Sequence, residues 1–249
     1  MSRTRKVIIA AVALVVLGIG GVYAFILLRD DAPPALDAGD LDDALDGGAG
    51  TTLAPDDATG TTIGTTPGTG GGTSPSDVSG TWTISTDSVL GYRVKEVLGG
   101  VDTEGAGRTS EVTGSLVIDG TTAVSADFTV QMASMASDSD RRDGQFRNRI
   151  MSTDDFPTSS FVLTSPIEFG SIPADGTSIT ASATGDLTLR GVTRSVSFEL
   201  QAQIEGGRIG VLGTIPVLFS DYEIPDPSNG FAVVKDNGLL EFVLVFDPA

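Results

Sequence analysis

The chain has 249 residues and a formal net charge of −18, and it contains neither cysteine nor histidine. An acidic chain without a basic stripe is poorly suited to nucleic acid, so the composition argues against a nucleic-acid partner. The lack of cysteine excludes disulfides, thiolate metal sites and a lipid anchor on cysteine. The lack of histidine removes the commonest general base and metal ligand.

The amino end combines a basic flank with an uncharged, mostly apolar run, Val7 to Leu28. As a helix, this run is long enough to cross a bilayer. The positive-inside rule then places the amino end in the cytoplasm and the rest of the chain outside the cell membrane. We therefore predict that residues 1–28 are a basic flank and a single transmembrane helix. The alternative is a secreted protein, released by signal-peptide cleavage near Ala24.

Residues 29–77 are rich in glycine, threonine, proline and aspartate. Leu36, Leu41 and Leu45 are compatible with a short acidic helix, but Gly39 weakens that interpretation. Such a composition buries too little apolar surface to offset chain entropy. We predict a flexible acidic linker without fixed structure.

Residues 78–249 carry the patterns of antiparallel strands. The clearest is Gly185 to Gln203, where apolar and polar residues alternate after a turn at Arg190-Gly191, as in a strand with one buried face. The predicted strands are Trp82 to Thr86, Leu90 to Val94, Ser110 to Asp119, Ala123 to Met132, Ser160 to Glu168, Ser178 to Leu189, Val192 to Glu205, Arg208 to Phe219 and Leu239 to Phe246.

Three segments interrupt the strand pattern. Leu98 to Gly107 is glycine-rich and is predicted to be a loop. Asp138 to Ser152 has apolar residues at helical spacing, which predicts one short helix capped by Asp138 or Ser139. Pro216 predicts an edge or a bulge at the end of its strand.

Nearly every predicted strand has one apolar face, so a single sheet must curl on itself or pair with a second sheet. Closure also removes exposed edges, and we predict an all-β, eight-stranded antiparallel barrel. The inward row Ile179, Ala181, Ala183 and Gly185 is small in its middle, which leaves room for one small ligand. Alternatively, large neighbours fill that space; the candidates are Phe128, Phe161 and Phe242.

No catalytic constellation stands out from the sequence. Serine and threonine are abundant, but no histidine or cysteine is present to complete a triad. Five aspartates surround the predicted helix, yet four arginines lie among them and the spacing is not that of a calcium loop. We therefore predict that the protein is not an enzyme and has no metal site and no cofactor.

Residues 78–249 contain five notable motifs: Trp82-Thr-Ile84, Val112-Thr-Gly114, Arg141-Arg-Asp143, Asp154-Asp-Phe-Pro157 and Gly185-Asp-Leu-Thr-Leu-Arg-Gly-Val-Thr-Arg194. With these motifs, the region resembles the YceI-like family of secreted lipid-binding domains. The resemblance implies a lipocalin-like barrel with an apolar interior. It also implies an isoprenoid or quinone-type lipid as the partner.

The sequence thus predicts a membrane-tethered extracytoplasmic binding or carrier protein that holds a long apolar lipid inside its barrel. The alternative is a filled barrel that acts as a surface interaction or stress-response module without a lipid. No protein partner is predicted. The residues predicted to line the ligand site are Tyr92, Phe128, Val130, Phe161, Ala181, Ala183, Leu187, Phe198, Leu200, Val211 and Phe242.

Overall fold

The computed structural model describes residues 32–47, 77–230 and 232–249, in which twelve strands and two short α-helices are found. The helices are Ala38–Leu45 (α1) and Asp140–Gln145 (α2). The strands are Gly80–Ile84 (β1), Val89–Leu98 (β2), Val101–Thr109 (β3), Val112–Asp119 (β4), Thr122–Gln131 (β5), Ala136–Ser137 (β6), Thr158–Leu163 (β7), Ile167–Glu168 (β8), Ile179–Leu189 (β9), Val192–Glu205 (β10), Arg208–Leu218 (β11) and Ala232–Pro248 (β12).

The strands form a closed antiparallel barrel with eight strand positions around its circumference. β1 and β2 follow one another as a single bent strand, and so do β3 and β4. From β4, the sheet continues through β5, β7, β9, β10 and β11 to β12, and each of these strands pairs with the next. β12 then pairs with both β1 and β2, which closes the ring. The predicted eight-stranded antiparallel barrel is confirmed.

The bend between β1 and β2 is fixed by a buried serine. The hydroxyl of Ser88 accepts a hydrogen bond from the Val245 amide at 2.9 Å and donates to the Val245 carbonyl at 3.2 Å. Both backbone groups of Val245 are therefore satisfied where the regular ladder is interrupted.

The predicted loop over Leu98 to Gly107 is wrong, because strand β3 occupies most of it. Gly99 and Gly100, with φ of 56° and 90°, form a two-residue turn that glycine permits. Gly107 lies beneath the ring of Tyr92, where a β-carbon would sit 2.6 Å from Cε1. Glycine here allows the close approach of a ring and does not break the strand.

Other strand predictions agree closely with the structure. β10 coincides with the predicted Val192 to Glu205. Pro216 lies beyond the last pair of β10 and β11, Leu200 with Gly213, so its strand has only β12 as a partner there. The predicted edge at this proline is confirmed.

The predicted helix over Asp138 to Ser152 consists of two parts. Ser139 caps α2 by accepting a hydrogen bond from the Arg142 amide at 3.4 Å. A wider helical turn then follows over Phe146–Ile150, closed by a hydrogen bond from Met151 N to Phe146 O at 2.8 Å.

Helix α1 lies within the predicted linker, so the prediction of no fixed structure over 29–77 is wrong for residues 38–45. Asp37 and Asp40 form a reciprocal capping box, which satisfies amides of the first turn. The apolar side chains of Leu41, Ala44 and Leu45 are buried against the outside of the barrel.

The outer face of β11 and β12 receives this helix. Leu212, Val243 and Val245 point outwards, yet they are buried beneath α1. A β-carbon at Gly210 would lie 2.6 Å from Cδ1 of Leu41, so this glycine provides the depression in which the helix sits. Arg208 donates to the carbonyl of Ala44 at 3.2 Å, at the negative end of the helix.

The predicted transmembrane helix, Val7 to Leu28, falls outside the described residues. Within the described ranges, none of the helices is long and apolar enough to span a bilayer.

Candidate ligand-binding site

Four phenylalanines cross the interior of the barrel at its waist. Phe128, Phe161, Phe198 and Phe242 come from β5, β7, β10 and β12. Their ring centroids are 5.4, 5.5, 5.9 and 5.8 Å apart around a closed cycle, within the range of favourable aromatic pairs. We call this group the phenylalanine ring.

Glycines in the wall make room for the phenylalanine ring. A β-carbon at Gly185 would lie 2.4 Å from Cζ of Phe161, and one at Gly213 would lie 2.4 Å from Cζ of Phe242. The small inward residues of β9 are therefore matched to large aromatic neighbours. At this level of the barrel, the alternative in which large side chains fill the space is correct.

On one side of the phenylalanine ring lies a cavity of about 320 Å³, which we call the large cavity. Its walls are mostly apolar and come from β2, β5, β7, β9, β11 and β12. Representative wall residues are Leu90, Tyr92, Val130, Leu187, Leu189 and Val217.

The segment that carries α2 replaces part of the barrel wall beside the large cavity. It contributes Met132, Met135, Phe146 and Met151, all of which are buried. The ring of Phe146 stacks on Tyr92, with centroids 5.1 Å apart and ring planes 8° apart. Sequence reasoning missed this wall. The signal available was the group of methionines, which adapt readily to irregular apolar surfaces.

The charged residues that line the large cavity are Glu96, Arg141 and Arg142, and Arg141 is exposed to solvent. Arg142 donates to Glu96 at 3.2 Å and also forms an ion pair with Asp138. Arg149 donates to the carbonyls of Asp226 and Pro227 at 3.1 and 2.7 Å, which links the helical segment to the loop opposite.

Tyr92 stands between this charged entrance and the apolar interior. Burial raises the pKa of its hydroxyl well above the ordinary value of 10.0, and the negative charges of Asp143, Asp138 and Glu96 raise it further. A hydrogen bond with the side chain of Ser137 acts on the pKa in the opposite direction, and the hydroxyl stays protonated at neutral pH.

On the other side of the phenylalanine ring lies a second, smaller cavity of about 90 Å³. Its walls are almost entirely apolar. Representative wall residues outside the phenylalanine ring are Leu116, Ile118, Ala183, Leu200, Val211 and Phe246. We call it the small cavity.

The predicted ligand-site residues are thus divided between the two cavities. Those that line the large cavity are Tyr92, Phe128, Val130 and Leu187. Those that line the small cavity are Phe128, Phe161, Ala183, Phe198, Leu200, Val211 and Phe242. Ala181 lines neither cavity, although it packs against the core of the barrel. That these residues bind a ligand stays a prediction.

The chemistry of the interior is that of apolar burial. In the described part of the chain, no group of three or more acidic side chains is arranged to hold a metal ion. Strand β7 contributes two serines, Ser159 and Ser160, to the lining of the large cavity.

A closed antiparallel barrel with an apolar cavity inside it places the protein in the class of cavity-bearing β-barrels. The model of one family, the YceI-like domain, matches residues 82–246. The chain belongs to this family.

Solved structures show the same fold. A polyisoprenoid binding domain from Saccharophagus degradans, implicated in plant cell wall breakdown, is 16% identical with a TM-score of 0.54, over 68% of this chain and 98% of that chain. BcnA from Burkholderia cenocepacia is 23% identical with a TM-score of 0.51, over 65% of this chain and 98% of that chain. No curated protein matches the chain in sequence.

Proposed function

We propose that the protein binds a long apolar lipid, of the isoprenoid or quinone type, inside its barrel. The large cavity, of about 320 Å³, is the observation that carries this proposal. Its volume falls in the range of small-molecule pockets, roughly 300–1,000 Å³. The membership of the YceI-like family supports the same ligand class, since a structural neighbour is described as polyisoprenoid-binding.

Burial of the chain would supply most of the affinity. Each methylene transferred from water contributes about 0.8 kcal/mol, so one five-carbon isoprene unit contributes roughly 4 kcal/mol. A few units would therefore offset the entropy lost on binding, about 4–15 kcal/mol. A chain too long for the large cavity would have to extend from the entrance or displace the phenylalanine ring.

The proposed role is that of a membrane-tethered extracytoplasmic carrier. The apolar run Val7 to Leu28 and its basic flank support a tether with the barrel outside the cell. Protease added to intact cells should then release a barrel fragment. Protection of the barrel until the cells are lysed would contradict this orientation. A chain found free in the medium and lacking the apolar run would indicate the secreted alternative.

The lipid proposal is tested by extraction of the full-length chain and mass spectrometry of what co-purifies. Val217→Phe places a larger side chain in the wall of the large cavity, where Val217 is buried. We expect it to reduce the bound lipid. Val162→Phe is the matched control, because Val162 is 50% exposed on the outside of the barrel.

Lipid bound equally by the parent chain and both variants would contradict binding in the large cavity. Extracts without lipid from the parent would favour a second function, a surface interaction module. The phenylalanine ring is the observation that favours this alternative, since it already fills the waist of the barrel. We propose no catalytic activity for either function.

A further inference from the structure

Ser159 lies in the wall of the large cavity, on β7. Its side chain points inwards, because Ser159 and Phe161 are buried while Thr158 and Val162 are exposed. Two residues of a strand span about 7 Å. Ser159 is therefore one layer of side chains away from the phenylalanine ring, at the floor of the large cavity.

The hydroxyl of Ser159 is buried without a partner. The residue is only 6% exposed, and its Oγ has no hydrogen-bond partner among the described residues. Its cross-strand neighbour is Val130, which offers no polar side-chain atom. Buried hydroxyls are nearly always hydrogen-bonded, and an unpaired one is destabilising compared with alanine. A serine at this position thus points to a partner that enters the cavity.

The surroundings of Ser159 indicate that this partner is uncharged. Val130, Phe128 and Leu187 line the same cavity. At the entrance, Arg142 is paired with Glu96 and Asp138, and Arg141 is exposed to solvent, so neither cation lies at the floor. An anion at the floor would be buried without a counter-charge, which is far less favourable than burial of a neutral oxygen.

We propose that Ser159 selects a lipid with a neutral oxygen, a hydroxyl or a carbonyl, which forms a hydrogen bond with its Oγ at the floor of the large cavity. This inference rests on the proposed function, binding of an apolar chain in the barrel. It narrows the ligand class to a neutral polar lipid and disfavours a lipid phosphate.

Three ligands with the same fifteen-carbon isoprenoid chain test this proposal: farnesol, farnesyl phosphate and the hydrocarbon farnesene. Binding of each radiolabelled ligand is measured to the full-length chain in lipid nanodiscs, with empty nanodiscs as background. The parent should bind farnesol more tightly than farnesyl phosphate. Ser159→Ala should weaken farnesol binding roughly fivefold and leave farnesene binding unchanged, because only farnesol can use the hydroxyl.

Thr103→Val is the matched control. Oγ1 of Thr103, on β3, is likewise buried without a partner among the described residues, but Thr103 is not in the wall of either cavity. This variant should bind all three ligands as the parent does. Thermal melts of the ligand-free chain provide a second readout. Ser159→Ala should melt no lower than the parent, since it removes an unpaired hydroxyl.

Each other outcome has a defined meaning. One outcome is that the parent binds farnesol and farnesene while Ser159→Ala weakens the binding of both equally or of neither. This result overturns the inference about Ser159 but leaves the proposed function, lipid binding, intact. Tighter binding of farnesyl phosphate than of farnesol also overturns it. A lower melting temperature for Ser159→Ala shows that the hydroxyl has a partner within the protein, with the same consequence. If the parent binds none of the three ligands, the proposed function fails together with the inference.

Discussion

Gly213 and Phe242 face each other across β11 and β12, and a β-carbon at Gly213 would lie 2.4 Å from Cζ of Phe242. Gly213→Ala should therefore push this aromatic side chain out of the phenylalanine ring. Overpacking of this kind costs about 1–3 kcal/mol. Urea denaturation of the variant should show a loss of unfolding free energy in that range.

Gly144→Ala serves as the control for this substitution. Gly144 lies in α2, and a β-carbon there would have no atom within 4 Å. Alanine in a helix is favoured over glycine by about 0.5–1 kcal/mol, so this variant should be no less stable than the parent. Equal stability of Gly213→Ala and the parent would show that the phenylalanine ring shifts without cost.

The sequence predicted the strands well because their faces differ so clearly. In β9 and β10, alternation placed Ala183 and Phe198 on the inner face, and the structure pairs these residues directly. Such alternation depends only on which face of the strand contacts water. It can therefore be recognised in the sequence of one strand, even when the neighbouring strands are not known. The eight-stranded barrel was predicted from the same pattern, although strand β3 was predicted as a loop.

Helix α1 was missed because its stability comes from a distant partner. An isolated helix of eight residues is marginal in water, and only the outer face of β11 and β12 makes Leu41 a buried residue. A signal was nevertheless present in the sequence. The run Phe242 to Phe246 is apolar without alternation, which is typical of a strand covered on both faces.

The candidate site was predicted only in part for a similar reason. Alternation identifies inward residues, but it does not say whether two inward side chains meet. The placement of Phe161 over Gly185 depends on the strand order of β7 and β9, which only the fold supplies. The helical spacing of Asp138 to Ser152 predicted a helix there, but it did not show that Phe146 and its neighbours face the cavity.

The docking of α1 predicts that residues 38–45 are protected while the barrel is folded. Leu41 has no exposed surface. Leu41→Ala removes its contact with the outer face, and a buried leucine replaced by alanine typically costs about 2–5 kcal/mol. Amide hydrogen exchange of residues 38–45 should become markedly faster in this variant.

Asp43→Ala is the control, because Asp43 is exposed on the same helix. It leaves the buried stripe intact and replaces a poor helix former by alanine. Exchange in α1 should stay slow. Fast exchange of α1 in the parent chain would contradict the docked position of the helix.

Glu241 is the centre of a buried charge cluster on the outside of the barrel. Its carboxylate is 1% exposed and accepts from Arg93 at 3.1 Å and from Arg108 at 3.2 Å. Glu241→Ala leaves both guanidinium groups without this partner, and breaking a buried pair in this way costs about 3–5 kcal/mol. Thermal denaturation should show a large drop in melting temperature.

Glu104→Ala provides the comparison within the same cluster. Glu104 also pairs with Arg93, at 3.0 Å, but its side chain is 42% exposed. Exposed pairs contribute about 0–1 kcal/mol, so this loss should be small. Similar losses for the two glutamates would show that water reaches Glu241.

The raised pKa of Tyr92 predicts how the free energy of unfolding changes with pH in the alkaline range. Burial, and then the charges of Asp143, Asp138 and Glu96, raise its pKa in the folded state above the ordinary 10.0. Below about pH 10, both the folded and the unfolded chain keep the proton. Above that pH, the unfolded chain loses it while the folded chain does not, so the free energy of unfolding falls as pH rises.

Tyr92→Phe removes this proton but keeps an aromatic side chain to stack on Phe146. Urea denaturation between about pH 9 and pH 11 should show a shallower decline of the unfolding free energy in the variant, by at most about 1.4 kcal/mol per pH unit. Burial also raises the pKa of Tyr222, so some decline should remain. The same slope in the variant and the parent would show that Tyr92 ionises as readily in the folded chain as in the unfolded one.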